Sequence, residues 1–381
     1  MKVYLDNNAT TALAPSVREA MLACLDSAPG NPSSTHGFGR ARRAMLDRAR
    51  EQVAALVGVS PAQVIFTSGG TEANNQALHA LTAGQVPGRI AVSAIEHPSV
   101  LEPARALAAR GWTLDLLPVD SEGRLDLDAL EASLARGTRL VSVMMANNET
   151  GVLQDMQAIA QRVRAADAVL HTDAVQAAGK LALDFAASGA QLMSLSGHKI
   201  HAPAGVGALV YDKRLEPAPL LLGGEQERGL RAGTENLCGI VGFGAAAELA
   251  VSGLEESREH LLRLRHRLES GLADMQVRVF SQGAERLPNT VQFAVAGIDG
   301  ETLLMRLDKA GIAVSSGSAC SSHSSAPSHV LLAMGVDEAS ARGAIRVSIG
   351  RDNREQDIDL LLQALRRQLE WIQKAGRAAG W

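Results

Sequence analysis

The stretch Ser196-Gly197-His198-Lys199 follows the apolar run Gln191-Leu192-Met193-Ser194-Leu195. A lysine at the end of a buried strand has its ammonium form disfavoured by desolvation, which lowers its pKa. The neutral amine is the form that condenses with a carbonyl. Upstream, Ala168-Val169-Leu170-His171-Thr172-Asp173 is a second apolar run, and it ends in an acid. A lone lysine in a turn reads most simply as a solvated surface charge. The acid and the lysine together point instead to pyridoxal phosphate, whose ring nitrogen pairs with an Asp and whose aldehyde is held by a lysine.

Other residues extend that chemistry. Thr67-Ser68-Gly69-Gly70-Thr71-Glu72-Ala73-Asn74 passes from an apolar run into a helical pattern. The glycines, Gly70 among them, together with helix N–H groups and the Thr71 hydroxyl, suit a phosphate. Thr71 is also an ordinary helix cap. No lysine follows the glycines in the Walker pattern, which argues against a nucleoside triphosphatase. His97, in Ala94-Ile95-Glu96-His97-Pro98, suits stacking on a flat ring and proton transfer near neutral pH, or a structural role at a helix start. Asn148 and Gln176 are able to donate to a phenolate-type oxygen, although turn and helix-surface roles explain either one in isolation. His198 and His201 stand three apart without an acid or cysteine to complete a metal site. No resident metal is therefore expected.

Cys320 lies in Val314-Ser315-Ser316-Gly317-Ser318-Ala319-Cys320-Ser321-Ser322-His323, a Ser/Gly-rich stretch unlike the surroundings of a core cysteine. His323 favours its thiolate. Core packing is expected of Cys24 and Cys238. Arg346 interrupts the apolar run Ala344-Ile345-Arg346-Val347-Ser348, where an inward guanidinium binds a carboxylate bidentately and an edge strand would turn it to water. With the lysine and the thiol, Arg346 completes an amino-acid site.

These residues need elements to carry them. Apolar runs at Val64–Phe66, Ile90–Val92, Leu114–Leu117, Leu140–Met144, Val169–Leu170, Leu192–Leu195 and Gly207–Val210 read as strands. Helical patterns at Thr71–Leu81, Pro98–Arg110 and Met156–Ala165 lie between them. The alternation predicts an α/β fold with a mostly parallel sheet covered on both faces. Thr71, His97, Asn148, Asp173 and Lys199 all follow predicted strands, where such sheets bind ligands. Beyond residue 250 a long helix at Leu254–Met275, strands at Thr290–Val295 and Ile345–Ile349, and a helix at Glu355–Lys374 predict a smaller α+β domain. Gly242-Phe243-Gly244-Ala245-Ala246-Ala247 matches a dinucleotide pattern but lacks the flanking strands, so close helix packing explains its glycines better.

Bulk properties narrow the classes. The chain has 381 residues, a formal charge of −4 and 3% aromatics. That composition argues against a globally basic or base-stacking nucleic-acid binder. The basic run Arg40, Arg42, Arg43, Arg48 and Arg50 is interrupted by Asp47 and Glu51 and reads as the solvated face of a helix. Three cysteines make no disulfide framework, which suggests a reducing compartment. An acid at Asp6 comes too early for a signal peptide, and no apolar run is long enough to span a bilayer, so a cytoplasmic protein without a membrane partner is expected.

The chain resembles the class V aminotransferase group and, within it, the NifS/IscS-like cysteine desulfurases. The resemblance rests on Leu5-Asp6-Asn7-Asn8-Ala9-Thr10-Thr11, Gly30-Asn31-Pro32-Ser33-Ser34, Phe66–Glu72, Glu96-His97, Asn147-Asn148-Glu149-Thr150-Gly151, His171–Gln176, Ser196–Lys199, Arg231-Ala232-Gly233-Thr234-Glu235-Asn236, the Cys320 stretch and Arg346. It implies a homodimeric fold type I pyridoxal phosphate enzyme. The implied large cofactor-binding domain is 14–252; a small domain of 1–13 and 253–381 carries a mobile cysteine loop at about 315–328. Lys199 would hold the cofactor, Asp173 its ring nitrogen and His97 its ring face, with Gln176 and Asn148 at the ring oxygen. Gly70, Thr71, Ser196, His198 and Thr234 of the partner subunit would hold the phosphate. Arg346, with Asn148, would hold the substrate carboxylate. Cys320 would take sulfur from L-cysteine, leave L-alanine, and pass the sulfur to an acceptor protein in iron–sulfur assembly or thiolation. Any contact with an iron–sulfur cluster during transfer would fall to Cys320. The alternative is a selenocysteine lyase or another class V enzyme that does not use Cys320. A non-catalytic scaffold would lack part of the Lys–Asp–His–Cys set. Two departures stand out: His201-Ala202-Pro203-Ala204 replaces the family's Tyr-Gly-Pro-Lys, and His323 stands where small residues are common.

Overall fold

Short apolar runs become strands here because both of their faces are covered, so alternation is not needed. The structure is a computed structural model that describes residues 2–275, 277–295, 297–316 and 326–378. Among these the larger sheet has seven strands, in the order Val64–Thr67, Gly207–Tyr211, Leu192–Ser196, Val169–Asp173, Thr138–Ser142, Arg89–Ser93 and Thr113–Leu117. Gly207–Tyr211 runs antiparallel to both neighbours, and the other pairings are parallel. Thr67, Ser93, Ser142, Asp173 and Ser196 therefore end at one edge.

The predicted strands and helices are present with small shifts. The strand predicted over Leu140–Met144 ends at Ser142, yet Val143 N and Met145 N still donate to His171 O and Asp173 O. The helix predicted over Pro98–Arg110 stops at Ala108, ahead of Gly111, whose φ of +94° no ordinary helix accommodates. Gly242 and Gly244 lie inside the helix Leu237–Ser252. A Cβ on Gly244 would come within 2.7 Å of Ala49 Cα, so helix packing accounts for that glycine.

One core lies around the large sheet, with Leu46, Val53, Phe66, Met193, Leu195 and Phe243 buried in it. A second core gathers Leu5, Leu264, Leu268, Phe293, Ile345 and Leu361. It underlies a sheet ordered Ser315–Ser316, Ala344–Ser348, Thr290–Ala294, Arg278–Val279. The N-terminal strand Val3–Tyr4 joins this region by pairing in parallel with Ile312–Ala313.

Two expectations need correction. Arg50 does not lie on a solvated helix face: it is 4% exposed, and its two terminal nitrogens bond the Glu227 carboxylate at 2.6 Å each. Its guanidinium also stacks on Phe66, 4.7 Å from the ring centre. The helix Gly37–Leu56 is long enough that its inner face reaches the sheet, and a buried Arg is tolerated there because its charge is paired. Core packing holds for Cys24, which is buried, but not for Cys238, which is half-exposed; their Sγ atoms lie 3.1 Å apart.

Candidate active site

At the sheet edge a cavity of about 370 Å³ is lined by Gly70, Thr71, His97, Asn148, Asp173, Gln176, Ser196, His198, Lys199 and Arg346. These are the predicted site residues except Thr234, which is exposed and does not line it, and Cys320, which lies outside the described residues along with His323.

One end is built for an anion. The loop Ser68-Gly69-Gly70 turns the strand Val64–Thr67 into the helix Gly70–Thr82. Gly69 caps that helix with φ +157°, so Thr71 falls inside the first turn and is not the cap. Gly207 lets the loop lie against the sheet, since a Cβ there would come within 2.6 Å of Gly69 C. A Cβ on Gly70 would fall 2.9 Å from Val175 Cγ2 and 3.3 Å from Ser196 Cβ, closing the cradle. Ser196 Oγ faces this end, is buried, and has no hydrogen-bond partner among the described residues. A buried hydroxyl without a partner is costly, and a phosphate oxygen would satisfy it. Glu72 holds the helix start in place by accepting from Ser68 N at 2.8 Å and from Arg231 Nε at 2.8 Å. Burial pushes the Glu72 carboxyl up, but its bonds with Arg231 and Ser68 outweigh it and leave it below its usual range.

The opposite end presents a buried carboxylate. Asp173 is 6% exposed. Its Oδ1 accepts from Val175 N at 2.9 Å and its Oδ2 from Asn74 Nδ2 at 2.7 Å. Asn74 also donates to Ser99 Oγ at 2.8 Å, and that hydroxyl lies 2.7 Å from His97 Nδ1. His97 Nδ1 accepts from Ser99 N at 3.1 Å as well, which assigns the neutral ring's proton to Nε2. His97 therefore does cap the helix Pro98–Ala108, and the capping bonds are what fix its ring at the cavity. Burial lowers its pKa; Asp173 opposes that, and Lys199 and His329 add to it.

Lys199 stands in the single turn Gly197–Lys199 after the strand Leu192–Ser196. It is half-buried, and its Nζ donates to Asn8 O at 2.5 Å and Ala9 O at 2.7 Å. The N-terminal segment is thus the wall that aims the lysine. Thr11 Oγ1 donates to His198 O at 2.9 Å, and His198 Nδ1 lies 3.2 Å from Thr10 Oγ1. Burial, with Lys199 beside it, pushes the His198 imidazole down to about 4. Gln176 Nε2 donates to Asn8 O at 2.9 Å. His201 takes a left-handed φ of +71°, uncommon for a residue with a side chain, and its Nδ1 bonds Ala12 O at 2.9 Å.

Arg346 is 2% exposed on a strand paired on both sides, so the water-facing reading fails. Its Nη2 bonds Asp6 Oδ1 at 2.7 Å and its Nη1 bonds Asn148 O at 3.1 Å, while Nε is buried without a partner among the described residues. Ser315 pairs beside it in the register Ser315↔Arg346. Two residues after the described chain resumes at 326, Ser328 Oγ donates to Glu149 Oε2 at 2.5 Å, and Gln292 Nε2 donates to the same oxygen at 3.2 Å. Burial raises the Glu149 carboxyl against these bonds. The described residues on both sides of the Cys320 stretch are thus fastened near the cavity.

Several contributors escaped sequence reasoning. Asn74 stands three residues after Thr71, on the same helix face, and this spacing was a usable signal. Lys180 lies four residues after Gln176, and its Nζ donates to Gln176 O at 2.9 Å and Oε1 at 3.2 Å. Burial, helped by Lys199 and Arg346, pushes its amine down to about 7. Asp6, Asn8 and Ser99 act through contacts that no local pattern reveals.

The family model for class-V aminotransferases matches residues 3–361. A cysteine desulfurase of Nostoc sp. (strain PCC 7120 / SAG 25.82 / UTEX 2576) is 46% identical over 366 residues, spanning 95% of this chain and 92% of its own. A solved NifS-like protein superposes with a TM-score of 0.92 at 38% identity, covering 97% of this chain and 100% of that one. A solved SspA in complex with cysteine superposes with a TM-score of 0.80 at 30% identity, covering 92% of this chain and 99% of that one.

Proposed function

The chain belongs to the class-V aminotransferase family, and from that premise we propose how its cavity carries out the reaction of a cysteine desulfurase. The protein is a pyridoxal-phosphate-dependent enzyme that converts L-cysteine to L-alanine and yields a persulfide for sulfur transfer. The residues present fit the cofactor: an orphaned buried Ser196 Oγ at the anion end and the held carboxylate of Asp173 at the other. One observation carries the assignment of roles. Asp173, Arg346 and the pair Ser196 and Lys199 come from three separate strands or the turn that follows one, yet all open onto one cavity.

Bound pyridoxal phosphate supplies an electron sink for the pair left when the substrate loses its α proton. Asp173 keeps the ring nitrogen protonated, and Asn74 and Val175 N hold that carboxylate in line. Gly70, Thr71, Ser196 and His198 bind the phosphate. A neutral His198 donates or accepts there without adding a charge beside Lys199. Lys199 Nζ moves the Cα proton. Arg346 orients the substrate carboxylate, and Asn148 and Gln176 bound the ring-oxygen side. His97 Nε2 relays a proton at the ring face. Cys320 Sγ attacks the substrate sulfur: the new S–S bond forms as the Cβ–S bond breaks, so cysteine and thiol become alanine and persulfide with no outside oxidant. Cys320 is the fourth residue after Ser316, a tether of at most about 14 Å. The attachment of Ser315 beside Arg346 supports this role.

We also propose a homodimer in which the partner subunit's Thr234 completes the phosphate end. The exposure of Thr234 and the bond from Arg231 to Glu72 support that reading. The acceptor is a protein that takes sulfane sulfur, for iron–sulfur assembly or thiolation. The test compares alanine release from L-cysteine, with reductant, between wild type and Cys320→Ser at equal cofactor occupancy. Alanine from the wild type alone supports transfer through Cys320. Equal release from both would replace that role with a lyase reaction.

A further inference from the structure

We propose that Cys24 and Cys238 are a modification site: they close into a reversible disulfide when the protein meets a peroxide, separately from the sulfur-transfer thiol. Cys24 lies on the helix Pro15–Asp26 and Cys238 on the first turn of the helix Leu237–Ser252. These helices pack against each other. The two Sγ atoms are 3.1 Å apart, so only about 1 Å of approach separates contact from a bond of about 2.05 Å.

In the single chain, reagent reaches the pair through Cys238, since Cys24 itself is only 2% exposed. Cys24 lines a surface cavity of about 540 Å³ together with Arg48, Gln52 and Glu248, and Cys238 is half-exposed. Arg42 is fixed over the site: its Nη1 donates to Cys24 O at 2.8 Å and to Cys24 Sγ at 3.4 Å, its Nε to Ala28 O at 2.9 Å, and its Nη2 to Ser27 O at 3.1 Å. A guanidinium against the sulfur stabilises negative charge as it develops there. Burial and the neighbouring thiol push Cys24 up to about 11, so Cys24 rests as a thiol.

The chemistry balances with one peroxide. The more exposed Cys238 Sγ attacks a peroxide oxygen; the O–O bond breaks, an S–O bond forms, and one water leaves. Cys24 Sγ then attacks Cys238 Sγ; the S–S bond forms, the S–O bond breaks, and a second water leaves with the Cys24 proton. Two thiols are oxidised and one peroxide is reduced to two waters. A dithiol reductant reverses the bond.

The experiment uses Cys320→Ser holoenzyme, which retains Cys24 and Cys238 as its only cysteines. Hydrogen peroxide should take titratable thiols from two to none and lower the intact mass by about 2 Da, the loss of two hydrogens. Digestion should yield one peptide pair joining Cys24 to Cys238. The melting temperature should rise on the order of 5 °C, because the link closes a long loop, and dithiothreitol should return it. Adding Cys24→Ser should abolish the mass loss and give oxygen adducts at Cys238. Two thiols remaining after peroxide, oxygen adducts without mass loss in the Cys24-containing protein, or a disulfide between two chains would each overturn the proposal.

Discussion

Ser196→Ala should move the apo and cofactor-bound proteins in opposite directions. Ser196 Oγ is buried at the anion end of the cavity without a hydrogen-bond partner among the described residues. Leaving a buried polar group unsatisfied costs about 1–3 kcal/mol, and water entering the cavity returns part of that. Deleting the hydroxyl should therefore stabilise the apo protein by about 1 kcal/mol or leave it unchanged. With the phosphate bound, the hydroxyl donates to a charged oxygen, an interaction of about 1.5–3 kcal/mol. Its loss should weaken pyridoxal phosphate affinity roughly 10- to 150-fold, at about 1.4 kcal/mol per tenfold. Equilibrium dialysis gives the affinity, and urea unfolding of apo protein gives the stability. Affinity within threefold of wild type would refute the phosphate role. A clear loss of apo stability would refute the reading of the hydroxyl as an unsatisfied group awaiting a ligand.

Other consequences can be checked. Asn74→Ala removes the donor at Asp173 Oδ2 and the link to Ser99, and should lower kcat/KM for alanine formation by about 10-fold or more, at about 1.5–3 kcal/mol for a bond to a charged group; steady-state kinetics would show it. Arg346→Lys should raise KM for L-cysteine more than it lowers kcat, because a point charge replaces the planar fork; Asp6→Asn, which removes the carboxylate on Nη2, should lower KM instead. His171 is fully buried between Ser142 Oγ at 2.8 Å and Ser194 Oγ at 3.0 Å, and burial pushes its pKa from 6.5 down to about 3. Between those values the unfolded chain binds a proton that the folded one refuses, so stability falls as pH drops below 6.5. His171→Gln should flatten that fall by about 1.4 kcal/mol per pH unit in unfolding titrations.

The sheet and the site along its edge were legible because local patterns dictate them. Apolar runs of strand length, each followed by a polar residue, gave Asp173, Lys199 and the approach to His97. What stayed hidden depends on distant partners. Arg50 looked like one more surface charge of a basic run; only Glu227, far along the chain, makes its burial tolerable. Ser99 reads as a routine helix-start residue until Asn74 is seen to donate to it. Cys24 and Cys238 each sit in ordinary helical sequence, and no periodicity says that two helices bring them together. The site was therefore readable in its residue types, whereas the bonds that aim those residues were not.

The segment that aims Lys199 is itself held by partners some 340 positions further along the chain. Val3–Tyr4 waits for Ile312–Ala313, Asp6 for Arg346, and the amide of Asn8 for the Ser348 hydroxyl. Without those partners the wall behind the lysine is missing. A large sheet formed alone would hold a lysine and an acid but no settled aim for the lysine and no carboxylate clamp. The reactive centre therefore depends on contacts between parts of the polypeptide that are far apart in sequence.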